Sequence, residues 1–436
     1  MFLLDIAVIA AVSAAAFYID SSIAIFGVSS SSIYLFIFSN ILLILCCIAA
    51  SGVYESNITR NGITTLSRIF ISFAMVFIVI SMLSFTGMIA WGGPVLAVYA
   101  MIFGLLWANR LILSRVLDLT FLTRRLFVIG DEPFVSRMID AAAQTNDFVV
   151  VDTLPLATLD GRNTADLENL VERISRLRTT DLVLAAKERR GRIPFDFLFL
   201  IRSIGIRVVE YEELYEEITG RVDLDAVRPG WFIFHEGFER SHLDHLVKRL
   251  FDIVAAGTII VLTVPLMALT AIAIWIDDGF PIFYVQERTG KGGIPFRLIK
   301  FRTMRRNAEE AGPRFADDND PRVTRIGSFL RRFRIDELPQ LFNVLKGEMS
   351  IVGPRPERPE FVRTFRELLP WFEQRHRVKP GLAGWAQLHA PYAYDLETTR
   401  LKLAYDLYYL RHWSLLLDVT ILIRTFQVVI WGTGVR

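Results

Sequence analysis

The sequence predicts a membrane protein in three parts. These are a four-helix transmembrane bundle at the N-terminus, a small α/β domain, and a monotopic α/β domain carrying a proline-broken re-entrant helix. Three observations predict it. From Met1 to Arg115 only seven residues are charged, and none is Lys. From about 124 to 220, short β-rich runs alternate with helical patterns, as in a parallel sheet. Residues 253–276 hold no charged side chain, yet Pro265 sits at their centre and both flanks are basic.

Four apolar stretches fill residues 1–115: roughly Phe2–Tyr18, Ile33–Val53, Ile69–Ile89 and Pro94–Leu113. Each approaches the ~20 residues that span a bilayer. Arg60 and Arg68 lie between the second and third, and Arg115, Arg124 and Arg125 come after the fourth. The positive-inside rule therefore puts both ends of this unit, and the domain after it, in the cytoplasm. No basic region precedes the first stretch, so no cleavable signal peptide is expected. Cys46 and Cys47 are adjacent in an apolar run and are expected to be reduced and buried. The net charge of +2 hides the split between an apolar first quarter and an ordinarily charged remainder. No nucleic-acid partner is expected.

In residues 124–220, Leu126–Ile129, Phe148–Val151, Leu182–Leu184 and Ile206–Val209 read as strands. Glu132–Gln144, Thr164–Arg178 and Phe195–Ser203 read as helices. This is a Rossmann-like pattern, and Gly130 ends its first strand. However, Asp131-Glu132-Pro133-Phe134 lacks further glycines and puts two acids where a pyrophosphate would sit, so a domain without nucleotide is expected. Residues 221–245 read as a linker, with Pro229-Gly230 as a turn. The third part covers 246–436.

The 24 residues of Ile253–Ile276 are long enough to cross a membrane. Lys248 and Arg249 before them and a basic segment after them both ask to be inside, and Pro265 would kink the helix. A helix that enters and leaves the same leaflet satisfies both. In the tail, Asp418, Arg424 and Gln427 recur at helical spacing within Trp413–Trp431. That pattern fits an amphipathic helix on the membrane or one packed on the preceding domain.

Thirteen Lys and Arg lie between Arg288 and Arg334 against five acids, and Asp336 and Glu337 come directly after. A cationic field feeding a carboxylate pair suits chemistry on a multiply charged phosphate. Pro339 belongs in the first turn of a helix, so that helix is expected from about Asp336 to Lys346, with Gly347 as its stop. Both carboxylates would then lie at a helix N-terminus, one free to face phosphorus and the other to hold a cation. Acids at a helix start can equally cap it and pair with Arg331, Arg332 or Arg334, a reading the pair alone would favour. Lys300-Phe301-Arg302-Thr303-Met304 reads as a half-buried strand with Lys300 and Arg302 on one face. Gly353-Pro354-Arg355-Pro356 is a rigid turn presenting one guanidinium, and Lys379 enters a Gly/Pro-shaped loop running to Gln387. His242 and His245 share a helical face without further nearby ligands, so no metal site is expected there.

From about Lys248 onward, the chain resembles the bacterial sugar transferase family, the monotopic phosphoglycosyl transferases. The matching segments are Lys248-Arg249-Leu250-Phe251-Asp252, the Pro265-broken helix, Lys300–Met304 and Asp336-Glu337-Leu338-Pro339-Gln340. Leu345–Pro356, Lys379–Gln387 and Asp406-Leu407-Tyr408-Tyr409 come next in order. With its N-terminal helices and sheet domain, the chain looks like the larger, polyprenyl-phosphate hexose-1-phosphate transferase type.

The resemblance implies transfer of sugar-1-phosphate from a UDP-sugar, with UDP-glucose or UDP-galactose expected, to undecaprenyl phosphate with release of UMP. It implies Asp336 as a nucleophile forming a phospho-aspartyl intermediate and Glu337 as a Mg²⁺ ligand. Lys300, Arg331 and Arg355 fall on phosphate-binding positions, and Arg302 and Lys379 are expected to bind substrate phosphate with them. It also implies a bacterial inner membrane, a cytoplasmic catalytic domain, contact with membrane lipids, and a role in starting exopolysaccharide, capsule or O-antigen synthesis. A homodimer is left open. One departure concerns the sugar: many relatives carry an Asn-Gly-Arg-Asn segment after the Trp-Ala-Gln, where this chain has Leu388-His389-Ala390-Pro391-Tyr392-Ala393-Tyr394, so the arginine linked to substrate contact there is missing. A catalytically silent scaffold is opposed by the intact Asp336-Glu337 pair, and a dehydratase or epimerase by the missing glycine loop.

Overall fold

In the computed structural model, the described residues are 5–13, positions 41, 44, 45, 48, 69, 72, 73 and 76, and 93–116. They continue through 123–159, 164–186, 192–234, 241–306, 308, 320–391 and 395–431. The chain divides into two units, one formed by Met1–Leu119 with Ile423–Gly432, the other by Thr120–Leu422 with the last four residues.

In the first unit, residues 5–13 are helical and α1 spans Gly93–Val116. Ile9, Ile44, Ile69 and Tyr99, one from each of the four apolar stretches, share a single buried cluster. Most of the second and third stretches, including Cys46 and Cys47, lie outside the described residues.

The second unit begins with a parallel sheet. Strands β1 (Arg124–Gly130), β2 (Phe148–Pro155), β3 (Asp181–Ala185) and β4 (Arg207–Glu210) lie in the order β2-β1-β3-β4. Val128 sits opposite Thr153 on one side and Val183 on the other. The two-residue period of a strand sends Leu126 and Val128 to one face and Phe127 and Ile129 to the other. Helices cover both faces, as an all-parallel sheet requires. Met138 of α2 (Phe134–Ala143) and Leu214 of α5 (Tyr211–Thr219) pack on the first face. Ile174 of α3 (Thr164–Arg176) and Phe197 of α4 (Phe195–Ser203) pack on the second. Helix α5 has no counterpart in the pattern read from sequence. Gly130 serves strand packing: a Cβ there would lie 2.0 Å from the Ala185 carbonyl oxygen.

Residues 221–234, expected as a linker, are not free. Val222, Leu224, Val227 and Trp231 are buried in the same core as Leu341, Ile351 and Leu407. Helix α6 (His242–Asp278) opens on Ser241, whose side chain caps it reciprocally with Asp244. It runs 37 residues with Pro265 inside. Pro265 has no N–H for the carbonyl four residues back, and Thr263 Oγ1 donates to Ile259 O (2.7 Å); both features bend helices. Its two ends are tied to one domain. Asp252 accepts from Ser350 Oγ (2.9 Å) and Ile351 N (3.1 Å), while Arg302 Nη2 donates to the Asp278 and Gly279 carbonyls (2.9 and 2.7 Å).

An antiparallel hairpin comes next, β5 (Phe283–Thr289) with β6 (Pro295–Phe301), then α7 (Arg325–Arg332) and α8 (Gln340–Lys346). A short parallel pair, β7 (Ser350–Val352) and β8 (Gly381–Ala383), flanks α9 (Pro359–Leu368) in sequence. Helices α10 (Trp385–His389), α11 (Leu396–His412) and α12 (Leu415–Trp431) complete the chain. On α12, Asp418 is fully buried rather than turned to a membrane surface. Its carboxylate accepts from Lys248 Nζ (2.7 Å), Tyr409 Oη (2.8 Å) and Trp413 Nε1 (3.0 Å). Of the two readings of the tail, packing holds at this position.

Candidate active site

The site is assembled by a chain reversal between α7 and α8. Gly327 lets α7 press on the segment after β6, since a Cβ there would meet Thr303 O at 2.1 Å. Arg331 Nε, one turn on, donates to Thr303 Oγ1 (3.0 Å). Past the helix end, Arg334 takes the left-handed conformation (φ 58°), uncommon for a side chain of this size. The reversal leads into a single 3₁₀ turn, Ile335–Glu337, and Pro339 stands just before α8. The two acids therefore precede the α-helix instead of opening it. Glu337 N and Leu338 N donate to Arg334 O and Ile335 O (both 3.2 Å), so these amides are spent within the turn. A 3₁₀ turn separates neighbouring side chains by roughly 120°, and the two carboxylates have different surroundings.

Glu337 is buried, and its Oε1 meets Arg355 Nη2 at 2.7 Å, Lys300 Nζ at 3.3 Å and Arg334 Nη1 at 3.4 Å. Burial alone would raise its pKa, but Arg355, Lys300 and Arg334 outweigh that and hold it well below the usual carboxylate range. Asp336, equally buried, accepts no hydrogen bond among the described residues. Burial and the neighbouring Glu337 charge push it up to about 6, against the pull of Lys300, Arg331 and Arg334. Burial lowers the Lys300 pKa, with Glu337 opposing. The result is one neutralised carboxylate beside one that is unpaired and still mostly ionised near neutral pH.

Arg355 is held from behind. Arg375 Nη2 donates to the Arg355 carbonyl (3.0 Å), and Arg375 is itself locked on buried Asp406 at 2.8 Å. Arg288 Nη1 donates to Pro356 O (3.1 Å), and Gly381 N to Pro354 O (2.9 Å). The turn carbonyls on both sides of the guanidinium are thus fixed, the pre-organisation that a phosphate fork needs.

The structure brings together Asp336, Glu337, Lys300, Arg331 and Arg355 from the residues singled out in the sequence. It does not bring Arg302 or Lys379 to Glu337. Strand β6 ends at Phe301, so the alternation that would align Arg302 with Lys300 stops, and Arg302 instead closes the end of α6. Lys379 lies beside Arg249 at the Gly347 turn. Pro265 lies within α6. The sequence names Arg334 as a pairing partner of the two acids, and it pairs with Glu337. Arg375 and Asp406 are given no role there, although Asp406 stands in a matched segment. Arg334 belonged to the visible basic run, but its left-handed backbone has no signature in an Arg.

With this geometry in hand, the family is clear: residues 243–432 match the bacterial sugar transferases. The UDP-glucose:undecaprenyl-phosphate glucose-1-phosphate transferase of Caulobacter vibrioides is 41% identical over 184 residues, 41% of this chain and 68% of that protein. The chain belongs to this family. It is also 44% identical over 235 residues to the UDP-N-acetylgalactosamine-undecaprenyl-phosphate N-acetylgalactosaminephosphotransferase of Aeromonas hydrophila, covering 53% of this chain and 54% of the relative. A UDP-glucose:undecaprenyl-phosphate glucose-1-phosphate transferase of Xanthomonas campestris pv. campestris is 41% identical over 212 residues, 48% of this chain and 43% of the relative. The chain thus spans about half the length of these last two.

Proposed function

We propose that the protein transfers sugar-1-phosphate from a UDP-sugar to undecaprenyl phosphate. The observation that carries this reading is the unpaired, buried Asp336 beside a Glu337 neutralised by three cations. Asp336 attacks the β-phosphorus; an Asp336 oxygen–phosphorus bond forms, and the bond from that phosphorus to the bridging oxygen breaks, so UMP leaves. An oxygen of the lipid phosphate then attacks the same phosphorus, expels the Asp336 carboxylate and leaves a lipid diphosphosugar. Lys300, Arg331 and Arg355 offset the charge that builds on phosphate oxygens. A covalent carboxylate intermediate divides one hard displacement into two easier ones.

Mg²⁺ fits the donor set. The closest cation contacts of Glu337 all fall on Oε1, which leaves Oε2 for a metal. Among the described residues no group of three or more acidic, His or Cys side chains could hold a metal alone. Glu337, with Asp336 adjacent, would therefore share the ion with substrate phosphates, as Mg²⁺ sites commonly do. When bound, it would neutralise diphosphate charge. Chelation with EDTA should stop UMP release and added Mg²⁺ should restore it. Glu337→Gln should lose activity chiefly as a higher Mg²⁺ requirement.

The sugar is read as a UDP-hexose or its N-acetyl form, with UDP-glucose and UDP-galactose the first to try and UDP-N-acetylgalactosamine beside them. The lipid-linked product suits the start of exopolysaccharide, capsule or O-antigen assembly. The setting is a bacterial inner membrane, with a four-helix N-terminal bundle and a cytoplasmic catalytic domain. Helix α6 is re-entrant, supported by Pro265 and by the anchoring of both its ends to one domain. Cysteines placed near Arg249 and near Asp278 should both resist impermeant reagents in intact cells; labelling near Asp278 alone would mean a true crossing. For the chemistry, UMP should appear in amounts stoichiometric with enzyme before any lipid acceptor is added, and labelled UMP should exchange into UDP-sugar. UMP release that strictly requires lipid phosphate would favour direct attack by the lipid.

A further inference from the structure

Lys379 remains unexplained by the Glu337 cluster. At Gly347, which takes φ 89° to end α8, a Cβ would lie 3.5 Å from both Lys379 Nζ and Arg249 Nη2. Two cations therefore flank one turn. Arg249 spends Nη1 and Nη2 on the neutral carbonyls of Val344 and Leu345 (2.6 and 2.7 Å), which leaves its charge uncompensated. Lys291 stands in the short turn Lys291–Gly293 at the tip of the β5–β6 hairpin. That turn packs on residues Phe372–Arg377, directly before Lys379, and the Lys291 charge acts on Lys379. The carboxylate in reach is Asp252, already engaged by Lys248 (3.2 Å), Ser350 and Ile351. Among the described residues, the Lys379 and Lys291 side chains form no hydrogen bond or ion pair. Burial and then Arg249 lower the Lys379 pKa, as befits a cluster short of an anion.

The same turns of α6 expose apolar side chains: Leu246, Leu250 and Val254 are 65%, 61% and 59% exposed. Cations thus stand beside the point where an uncovered apolar surface begins. A free anion would satisfy the charges but not those side chains; a lipid satisfies both. We propose that Lys379, Lys291 and Arg249 form a second anion site, apart from Asp336 and Glu337, which takes the phosphate of an anionic phospholipid headgroup. This rests on the membrane reading of α6, but not on the transferase reading.

The test uses the full chain in neutral detergent. Thermal unfolding is followed with dioctanoyl phosphatidylglycerol, dioctanoyl phosphatidylcholine, or inorganic phosphate added at matched concentrations. Phosphatidylglycerol should stabilise with an apparent Kd at least about tenfold tighter than phosphatidylcholine, and inorganic phosphate should not reproduce the effect. Lys379→Gln and Lys291→Gln should each weaken that Kd about fivefold, the effect of one basic residue near an anionic lipid. Lys291 is on an exposed turn, so its variant keeps the test decisive should Lys379→Gln fail to fold. Equal response to both lipids, unchanged Kd in the variants, or full stabilisation by inorganic phosphate would each overturn the site. So would a raised KM for undecaprenyl phosphate in Lys291→Gln, which would give the cluster to the acceptor. Lipid stabilisation without any UMP release would sink the transferase reading alone.

Discussion

Two clusters of acids and bases sit within the same unit, made of similar residues and finished differently. At Asp418, Lys248, Tyr409 and Trp413 all reach one buried carboxylate. Lys248 turns also to Asp252, which takes two further hydrogen bonds. At the other cluster, three cations crowd Glu337 Oε1 while Asp336 beside it accepts no hydrogen bond among the described residues. A saturated buried network fixes α6, β7, α11 and α12 against one another. An unsaturated one leaves a carboxylate whose burial is uncompensated, a cost in stability that a reacting group can justify. Partner counts, which no sequence shows, separate scaffold from site.

The contrast breaks most readily at Asp336. Asp336→Asn should lower UMP release by about 10³-fold or more, some 4 kcal/mol of barrier at 1.36 kcal/mol per tenfold. Its thermal stability should hold or rise, because a neutral amide relieves the repulsion from Glu337. Enzyme assay and thermal unfolding on the same preparation check both halves; an active Asp336→Asn protein would show that Asp336 is not the nucleophile. Asp418→Ala should do the reverse. Removing one partner from a buried ion pair costs about 3–5 kcal/mol, so this variant should unfold early while its surviving folded fraction keeps normal turnover.

Much of this was legible beforehand, for physical reasons. The parallel sheet announced itself through β-rich runs at regular intervals, and Phe195–Ser203 emerged with the bounds read from sequence. Asp336 and Glu337 stood out because they directly follow a segment with thirteen Lys and Arg against five acids. Three features were not legible. Arg302 looked like a partner of Lys300, since nothing in the sequence marks Phe301 as the last strand residue. Residues 221–234 looked like a linker because their hydrophobic residues keep no period, yet Trp231 is buried in one core with Leu341, Ile351 and Leu407. Asp418 stayed open between a membrane-facing and a packed position, because its helical spacing with Arg424 and Gln427 fits both equally well.

The Trp231 result yields a mid-sized prediction. Trp231→Ala should cost about 3–5 kcal/mol, the usual range for a buried aromatic truncated to Ala. By the same reasoning, a chain begun at Ser241, which lacks Val222, Leu224, Val227 and Trp231, should be active only while it survives. A chain begun at Arg221 should last longer. Equal thermal half-lives for the two would show that this segment adds little to the core around Leu341 and Leu407.

The smallest effect tests whether the scaffold reaches into the site. Arg375 touches neither acid of the pair; it binds Asp406 and donates to the carbonyl of Arg355, whose guanidinium lies 2.7 Å from Glu337. Arg375→Lys keeps the charge on Asp406 but, with one ammonium in place of a fork, cannot hold both partners in the same geometry. The Gly353–Pro356 turn should loosen and Arg355 should spend less time facing the phosphate. The expected cost is about tenfold in kcat, ~1.4 kcal/mol, with KM for the UDP-sugar changed less. Arg355→Lys should lose at least as much, and the double variant should lose little more than Arg355→Lys alone, because the two act in series. Losses that multiply in the double variant would mean that Arg375 acts on its own. The scaffold and the site would then be separate networks that merely adjoin.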